Sequence, residues 1–287
     1  MNVLSLFDGI SCGQIALERA KIDVENYYAS EIDKYAIQVT QHNYPKTIQL
    51  GDINNWREWE LPKIDLILAG SPCTGFSNAG QGLNFEDPQS KLFFVFVDIL
   101  NHYKEKNPNL YWLLENVKMK KEWSSRISDL LGTKFIEINS SLVSAQNRKR
   151  LYWTNIPNVT QPNDRHIYLK DIIIDRNDDL LDIETPTSER LEYIKRRAKN
   201  GWVKSIYNTI NTEKVPCLTA VCYKTMKEYV YSDEYGLRFL SCIELERLQT
   251  VSDNYTSCVS KSQRRKLLGN GWTVDVIKHI LSFITSK

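Results

Sequence analysis

The chain of 287 residues has no long hydrophobic run. No stretch approaches the roughly 18 consecutive apolar residues that a membrane-spanning helix needs, so we expect no membrane segment. The first eight residues, MNVLSLFD, contain no basic residue and soon reach an aspartate, unlike a secretory signal peptide. With 42% hydrophobic and 25% charged residues, the composition is that of an ordinary globular protein, and we expect it in the cytoplasm.

The six cysteines lack the spacing of a disulfide framework or of a zinc site. They form no Cys-x-x-Cys pair, and the four histidines do not accompany them in a ligand pattern. The sequence also contains no internal repeat and no low-complexity tract. We therefore expect reduced thiols and no bound metal.

The common phosphate-binding motifs are missing as well, since there is neither a Gly-x-Gly-x-x-Gly fingerprint nor a P-loop. The chain nevertheless begins with a strand, residues 2–6, then a glycine-bearing turn and a helix. Asp8, Glu31 and Asp52 follow the first three predicted strands. They would share the carboxyl edge of a parallel sheet, where open α/β folds bind ligands. This recurrence predicts an adenosine-like ligand across the three strand ends.

Cys73 follows an apolar strand, residues 64–69, in a loop opened by Gly70 and Pro72. A lone cysteine is more often a small buried hydrophobe than a nucleophile. A thiol protease or acyl transferase would need a histidine base, and none of the four histidines stands in such a context.

Strands alternate with helices through residue 153, which predicts an α/β fold with a doubly wound, mostly parallel sheet. Glu115 lies on the apolar strand 111–117, again at the expected ligand edge. Arg148 and Arg150 would point the same way from one strand. Two guanidinium groups on one face suit a phosphate or a polarised carbonyl.

The alternation stops after residue 153, which predicts a second, smaller and irregular domain. We expect residues 1–153 and 262–287 to form the first domain and residues 154–261 the second. Within the second, a strand is predicted at residues 216–221. A helix is predicted from Ser241, with Glu244 completing a capping box.

Positive charge is concentrated in the second half of the chain. Residues 1–140 carry 14 Lys and Arg against 18 Asp and Glu, and residues 141–287 carry 23 against 17. A basic region on a nearly neutral chain favours a polyanionic partner, although a solvated surface explains the charge equally well.

Taken together, the motifs resemble those of DNA cytosine-5 methyltransferases that use S-adenosylmethionine. The matching motifs are Val3–Gly9, Glu31, Asp52, Ser71-Pro72-Cys73, Glu115-Asn116-Val117, Gln146-x-Arg148-x-Arg150, Arg238–Gln249 and Gly269-Asn270-Gly271. The similarity covers residues 1–153 and 237–287, in the family's order. It implies a Rossmann-like, S-adenosylmethionine-dependent methyltransferase fold, in which residues 154–261 form a target-recognition domain.

The resemblance also implies roles for individual residues. Cys73 would add covalently to a flipped-out cytosine of a short duplex site, and Glu115 would hydrogen-bond the ring. Arg150 would contact the carbonyl oxygen, with Arg148 helping to hold that edge. The residues that would bind S-adenosylmethionine, or its product S-adenosylhomocysteine, are Phe7, Asp8, Gly9, Ile10, Glu31, Ile32, Asp52, Ile53, Pro72, Asn270 and Trp272. No metal is implied.

Some details point to a subgroup. Ser71 before Pro72-Cys73, the run Leu92-Phe93-Phe94 and Trp272 after Gly269-x-x are similar to the de novo DNA methyltransferases, and the short chain suggests a bacterial or phage source. Two features depart from the family: Ile32 stands where a tryptophan is common, and the glycine-rich loop after Cys73 is spread out.

The partners implied are double-stranded DNA and, in the cell, a cognate restriction endonuclease, with the protein itself a monomer. Lys224, Thr225 and Lys227 are candidates for base contacts, although each is more simply explained as part of a solvated loop. Two alternatives stay open: a tRNA cytosine-5 methyltransferase and a catalytically silent DNA-binding relative. A separate recognition domain favours DNA, and the intact Cys73 and Glu115 argue against a silent protein.

Overall fold

The structure is a computed structural model that describes residues 1–72, 88–175, 177–179, 182–199, 207–226 and 229–284. Cys73 and Lys227, which the sequence singles out, lie outside the described residues, as does the side chain of Thr225.

Strands and helices alternate up to residue 154. The strands are β1 Asn2–Leu6, β2 Asn26–Ser30, β3 Ile48–Gln49, β4 Leu66–Gly70, β5 Tyr111–Val117, β6 Ile136–Asn139, β7 Gln146–Asn147, β8 Lys149–Thr154, β9 Val215–Pro216, β10 Val230–Asp233 and β11 Gly236–Phe239. The helices are α1 Cys12–Arg19, α2 Lys34–Asn43, α3 Pro88–Lys106, α4 Lys121–Leu131, α5 Ser188–Lys199, α6 Cys222–Thr225, α7 Cys242–Leu248, α8 Lys261–Asn270 and α9 Val274–Leu281.

Seven of the strands form one sheet in the order β3-β2-β1-β4-β5-β8-β6. The pairs from β3 to β5 are parallel, whereas β8 runs antiparallel to both β5 and β6. The predicted α/β fold with a mostly parallel sheet is therefore confirmed. The strand order reverses at β1, because the chain moves to β2 and β3 on one side and returns to β4 on the other. Such a switch point opens a crevice at the carboxyl ends of the strands.

The central strands of the sheet are mostly apolar and buried. Four of the five residues of β1 are buried, as are four of the five in β4. Near-continuous apolar runs of this kind are typical of parallel strands that are covered on both faces. Large aromatic side chains fill the core around them, among them Phe93 and Phe96 of α3, Trp112 of β5 and Trp153 of β8. The indole Nε1 of Trp153 donates a hydrogen bond to Ser128 Oγ of α4 at 2.9 Å, which satisfies its buried polar atom.

The chain divides into two compact units. The first contains residues 1–139, 149–161 and 276–287, and the second contains residues 140–148 and 162–275. The expected domain boundaries stay a prediction: in this division residues 154–161 group with the first unit, and residues 140–148 and 262–275 group with the second unit. The physical reason is a set of buried polar contacts inside that unit, described below, that tie Gln146 and Arg148 to residues 218, 249 and 271.

The second unit has little regular sheet among its described residues. β10 and β11 form an antiparallel hairpin, and β7 and β9 pair over two residues each. The predicted strand at residues 216–221 is wrong beyond Pro216. The predicted start of α7 is confirmed, since Ser241 caps the helix and forms a capping box with Glu244.

Candidate active site

The turn after β1 has an unusual backbone. Phe7, Gly9 and Ser11 have φ values of 58°, 60° and 56°, in the left-handed region that costs residues other than glycine about 1–2 kcal/mol. No described atom lies within 4 Å of a Cβ built on Gly9. The turn lies at the carboxyl end of β1, so its backbone is open to a ligand at the switch point.

The Asp8 carboxylate holds this turn in shape. It accepts hydrogen bonds from Ser11 Oγ and, at 2.8 Å, from the hydroxyl of Tyr27 on β2. Burial raises the pKa of Asp8 to about 6, and the nearby Glu31 charge adds to the increase, while the hydroxyl donors partly offset it. Sequence patterns point to Asp8 but to neither of these hydroxyl partners, since nothing local marks them.

The Glu31 carboxylate lies at the end of β2. Its Oε2 accepts from the backbone N–H of Gly9 at 2.8 Å, and its Oε1 accepts from the N–H groups of Ile32 and Asp33 at 2.7 and 2.8 Å. A carboxylate offers about four lone-pair sites, so these three bonds orient the group and leave capacity for a ligand hydroxyl. The structure therefore brings Glu31 to the turn after β1, as the pattern of carboxylates predicts.

Ile32 presents an apolar surface beside this carboxylate, because its side chain is 75% exposed. Asp52, at the end of β3, is also exposed and caps the 3-10 segment Ile53–Glu58 by accepting from the N–H of Asn54 at 2.9 Å. Unlike Ile32 and Asp52, which are exposed, Ile10 and Ile53 have buried side chains. If these two residues touch a ligand, the contact is through their backbone atoms.

Glu115 and Arg150 form an ion pair on two neighbouring strands. Glu115 Oε1 lies 2.9 Å from Arg150 Nε, and the two side chains are only 11% and 14% exposed. Glu115 is opposite Tyr152 in the antiparallel register, which places Arg150 diagonally across from it on the same face. Gly70 at the end of β4 pairs with Glu115 in register. The pair therefore lies one strand away from the segment that leads to Cys73.

A second contact joins the same two strand ends. The side-chain amide of Asn116 donates to Ser71 Oγ at 3.0 Å, and its carbonyl oxygen accepts from the N–H of Val117. Both Asn116 and Ser71 are buried. The contact fixes the chain immediately before Pro72, and it gives the Ser of the Ser-Pro-Cys motif a structural purpose.

Arg148 and Arg150 do not point the same way from one strand, although the sequence predicts this arrangement. Arg148 lies between β7 and β8, so the two residues are not on one strand. Its guanidinium is buried and donates to the backbone oxygens of Leu218 at 2.6 Å and Gly271 at 2.8 Å. These contacts are inside the second unit and show that Arg148 holds backbone there, while its role beside the substrate stays a prediction.

Gln146 is held in the same way. Its side-chain N–H groups donate to the oxygen of Leu248 at 2.6 Å and to Gln249 Oε1 at 2.9 Å. Gln249 in turn donates to the oxygens of Leu268 and Gly271. The predicted cofactor residues Asn270 and Trp272 belong to this second unit, where Asn270 is exposed at the end of α8 and Trp272 is buried.

A mostly parallel sheet with a ligand crevice at its switch point is the fold of S-adenosylmethionine-dependent methyltransferases. Within that class, the family model for C-5 cytosine-specific DNA methylases matches residues 1–286. The chain belongs to this family and is a DNA cytosine-5 methyltransferase, as its motifs predict. Members of the family use S-adenosylmethionine as the methyl donor.

Two curated relatives are similar over nearly their whole length. The type II methyltransferase M.NgoBI of Neisseria gonorrhoeae is 31% identical over 298 residues, which span 96% of this chain and 90% of that protein. The type II methyltransferase M.HaeII of Haemophilus aegyptius is 30% identical over 301 residues, spanning 97% and 91%. Among solved structures, the Entamoeba histolytica methyltransferase EhMeth covers 99% of this chain with a TM-score of 0.75 at 16% identity. That last likeness concerns the fold alone, and the expected de novo subgroup stays a prediction.

The residues around the crevice fit S-adenosylmethionine. The open backbone at Gly9, the oriented Glu31 carboxylate and the exposed Ile32 provide a turn, a hydroxyl acceptor and an apolar platform. In the described part of the chain, no group of three or more His, Cys, Asp and Glu side chains could hold a metal ion. No described helix is long and apolar enough to span a membrane.

Proposed function

We propose that the chain methylates carbon 5 of a flipped-out cytosine in a short duplex site, through a covalent adduct with Cys73. The Glu115–Arg150 pair carries this proposal. A partly buried carboxylate and guanidinium on one face of the sheet match the donor and acceptor pattern on the edge of a cytosine ring. Cys73 is two residues after Ser71, which the structure anchors to the neighbouring strand through Asn116.

Each of these residues has a chemical task in the proposal. Carbon 5 of cytosine is a weak nucleophile, and addition of the Cys73 thiolate to carbon 6 gives it enamine character. Glu115 hydrogen-bonds the ring nitrogen and amino group, and Arg150 contacts the carbonyl oxygen. Loss of the carbon-5 proton to a base and elimination of Cys73 then restore the ring. The target must leave the base stack, because stacked neighbours cover the ring face that the thiolate attacks and base pairing occupies the ring nitrogen, amino group and carbonyl oxygen.

The cofactor would lie along the crevice at the switch point. Glu31 would accept from the ribose hydroxyls, Asp52 would accept from the adenine amino group, and Ile32 would pack against the ring. Phe7, Asp8, Gly9 and the backbone of Ile10 would form the turn beside the cofactor. The backbone of Ile53, after β3, would also contact it, and Pro72, Asn270 and Trp272 are the remaining proposed contacts. S-adenosylmethionine supplies an electrophilic methyl group when it is bound.

The remaining parts of the proposal concern partners. The second unit would act as the target-recognition domain, with its cations on phosphates, and the protein would act as a monomer on double-stranded DNA. Relatives named as type II methyltransferases support a restriction-modification context with a cognate endonuclease. Action in the cytoplasm would fit that context.

The first test is incubation with labelled S-adenosylmethionine and unmethylated phage DNA, followed by bisulfite sequencing. We expect methylated cytosines in one short sequence context. If label enters the DNA but no cytosine resists bisulfite conversion, methylation at carbon 5 is contradicted.

The second test addresses the nucleophile. Duplex DNA with 5-fluorocytosine at the methylated position blocks loss of the carbon-5 substituent and should trap a covalent adduct with the wild-type protein. Cys73→Ser should give none, while Cys258→Ser, at a half-exposed thiol of the second unit, should trap as the wild type does. An adduct with the Cys73 variant would exclude this residue as the nucleophile.

A further inference from the structure

Two exposed features of the second unit are joined by one hydrogen bond. The first is helix α5, whose sequence SERLEYIKRRAK carries five cations against two carboxylates. The second is the turn at residues 221–224, where α6 begins. Arg190 of α5 donates from Nη1 to the backbone oxygen of Lys224. The helix and the turn are therefore parts of one surface.

The charge on α5 is concentrated toward its C-terminal end. Ile194 is fully buried and anchors the helix, whereas Arg196 and Lys199 are exposed and, three residues apart, share one face. Both carboxylates precede Tyr193 in the sequence, and Glu192 is paired with Lys195 at 2.8 Å. The Arg196 guanidinium lies 5.7 Å from the centre of the Tyr193 ring. This face is complementary to a polyanion.

The turn offers a different chemistry. The Val221 side chain is 60% exposed, and the neighbouring Lys224 is exposed as well. A single exposed valine carries little meaning alone. Next to a basic helix, however, an aliphatic side chain suits the methyl group of thymine, and a lysine amine suits the acceptors of guanine in the major groove.

We infer that α5 and residues 221–224 form the DNA-docking surface of the second unit, with Arg196 and Lys199 on phosphates and Val221 and Lys224 on base edges. The inference rests on the proposed function, because it names the surface that reads the DNA for that reaction. Phosphate contacts contribute affinity and salt dependence without sequence preference, whereas base contacts determine which sites are methylated. Substitutions on α5 should therefore change the salt dependence of binding, whereas substitutions at residues 221–224 should change the sequence context that is methylated.

The first test uses the full chain with Arg196→Gln and Lys199→Gln combined. Binding to a duplex is measured between about 50 and 200 mM salt, where the salt dependence of phosphate contacts is large. Each lost phosphate contact should reduce the slope of log affinity against log salt by about 0.9, so we expect a slope shallower by about 1.8 with the methylated context unchanged. A wild-type slope would overturn the assignment of α5.

The matched control removes the same charge elsewhere. Lys21 and Lys46 are exposed and precede β2 and β3, at the edge of the sheet opposite to the ligand crevice. The Lys21→Gln, Lys46→Gln variant should keep the wild-type slope. An equal drop in both variants would overturn the inference by showing an effect of net charge alone. If the double variant on α5 does not fold, the single Arg196→Gln substitution should show half of the change.

The second test uses Val221→Ala and Lys224→Gln, followed by bisulfite sequencing of phage DNA. We expect each variant to relax discrimination at one position of the site by about fivefold or more, with a salt slope within one unit of the wild type. An unchanged context in both variants would overturn the assignment of the turn. A wild-type protein that methylates no DNA would contradict the proposed function instead, while the binding measurements would still test this surface.

Discussion

The two compact units of this methyltransferase are stabilised by different interactions. In the first unit, the sheet ladders pair the backbone groups, and the core between strands and helices is aliphatic and aromatic. In the second unit, long polar side chains are buried: Gln146, Arg238, Glu244, Glu246 and Gln249 are all at most 1% exposed.

The reason lies in the backbone. The described strands of the second unit have two to four residues, so ladders satisfy few of its peptide groups. Side chains take their place: Glu246 accepts from the N–H groups of Asn254 and Thr256, and Lys214 donates to the oxygens of Ser141, Ser144 and Ile167 at 2.6–3.0 Å. Irregular backbone that is buried needs polar side chains as hydrogen-bond partners, because unpaired buried peptide groups are costly.

The largest effect we expect is on catalysis in the first unit. Glu115→Gln keeps the shape of the side chain but removes the charge that would stabilise the protonated ring, so kcat should fall by about 10²–10³. The matched control is Glu137→Gln, which breaks the more exposed Lys118–Glu137 pair of the same unit and should leave kcat unchanged. Methyl transfer from labelled cofactor measures both. A kcat within threefold of the wild type would remove Glu115 from the mechanism.

The next effect should appear in the stability of the second unit. Arg238 donates to both carboxylate oxygens of Glu244 at 2.8 and 2.7 Å, and neither side chain is more than 1% exposed. Arg238→Met would leave a buried carboxylate without its counterion and should lower the free energy of unfolding by about 3–5 kcal/mol. Arg247→Met, which breaks the partly exposed pair with Asp253, should cost less, at about 1 kcal/mol. Urea titrations of the two variants compare them, and equal losses would refute this reading of the second unit.

Asp8 provides a pH-dependent test in the first unit. Its pKa is raised from 3.8 to about 6, so between these pH values the folded protein holds a proton that the unfolded chain has lost. The contribution of Asp8 to the free energy of unfolding therefore falls, by at most about 3 kcal/mol, as pH rises through this window. Above the window this contribution no longer changes with pH.

Asp8→Asn has no such titration but keeps the hydrogen-bonding shape. The difference in the free energy of unfolding between wild type and variant should therefore change between pH 4 and 6 and stay constant from pH 7 to 8. Urea titrations at each pH measure it. Parallel curves for the two proteins would show that Asp8 does not titrate in this range.

The smallest effect compares one glycine from each unit. A Cβ on Gly269 would lie 2.2 Å from the backbone oxygen of Thr219, so Gly269→Ala must move backbone and should cost about 1–3 kcal/mol. A Cβ on Gly132 at the end of α4 would meet no described atom within 4 Å, and its φ of +66° makes Gly132→Ala a conformational cost of about 1 kcal/mol. Thermal unfolding of the two variants compares these stability losses. A larger loss for Gly132→Ala than for Gly269→Ala would contradict the prediction.

Local patterns predicted much of the first unit. Asp8, Glu31 and Asp52 each follow a strand within three residues, and parallel pairing brings the carboxyl ends of these strands to one edge. The capping box of Ser241 and Glu244 was also visible, because its partners are three residues apart. In the second unit, the strand predicted after Pro216 was wrong, because Leu218 bonds to Gln146 and Arg148 instead of extending a ladder.

Motif order and local periodicity are enough to identify the family and the α/β fold, and they single out Cys73 and Glu115 as the residues of the proposed chemistry. The folded chain adds that Glu115 pairs with Arg150, whereas Arg148 donates to the oxygens of Leu218 and Gly271. Both arginines belong to the same Gln-x-Arg-x-Arg motif. Their different partners come from segments about 35 to 120 residues away. Such long-range contacts cannot be predicted from the local periodicity of the sequence.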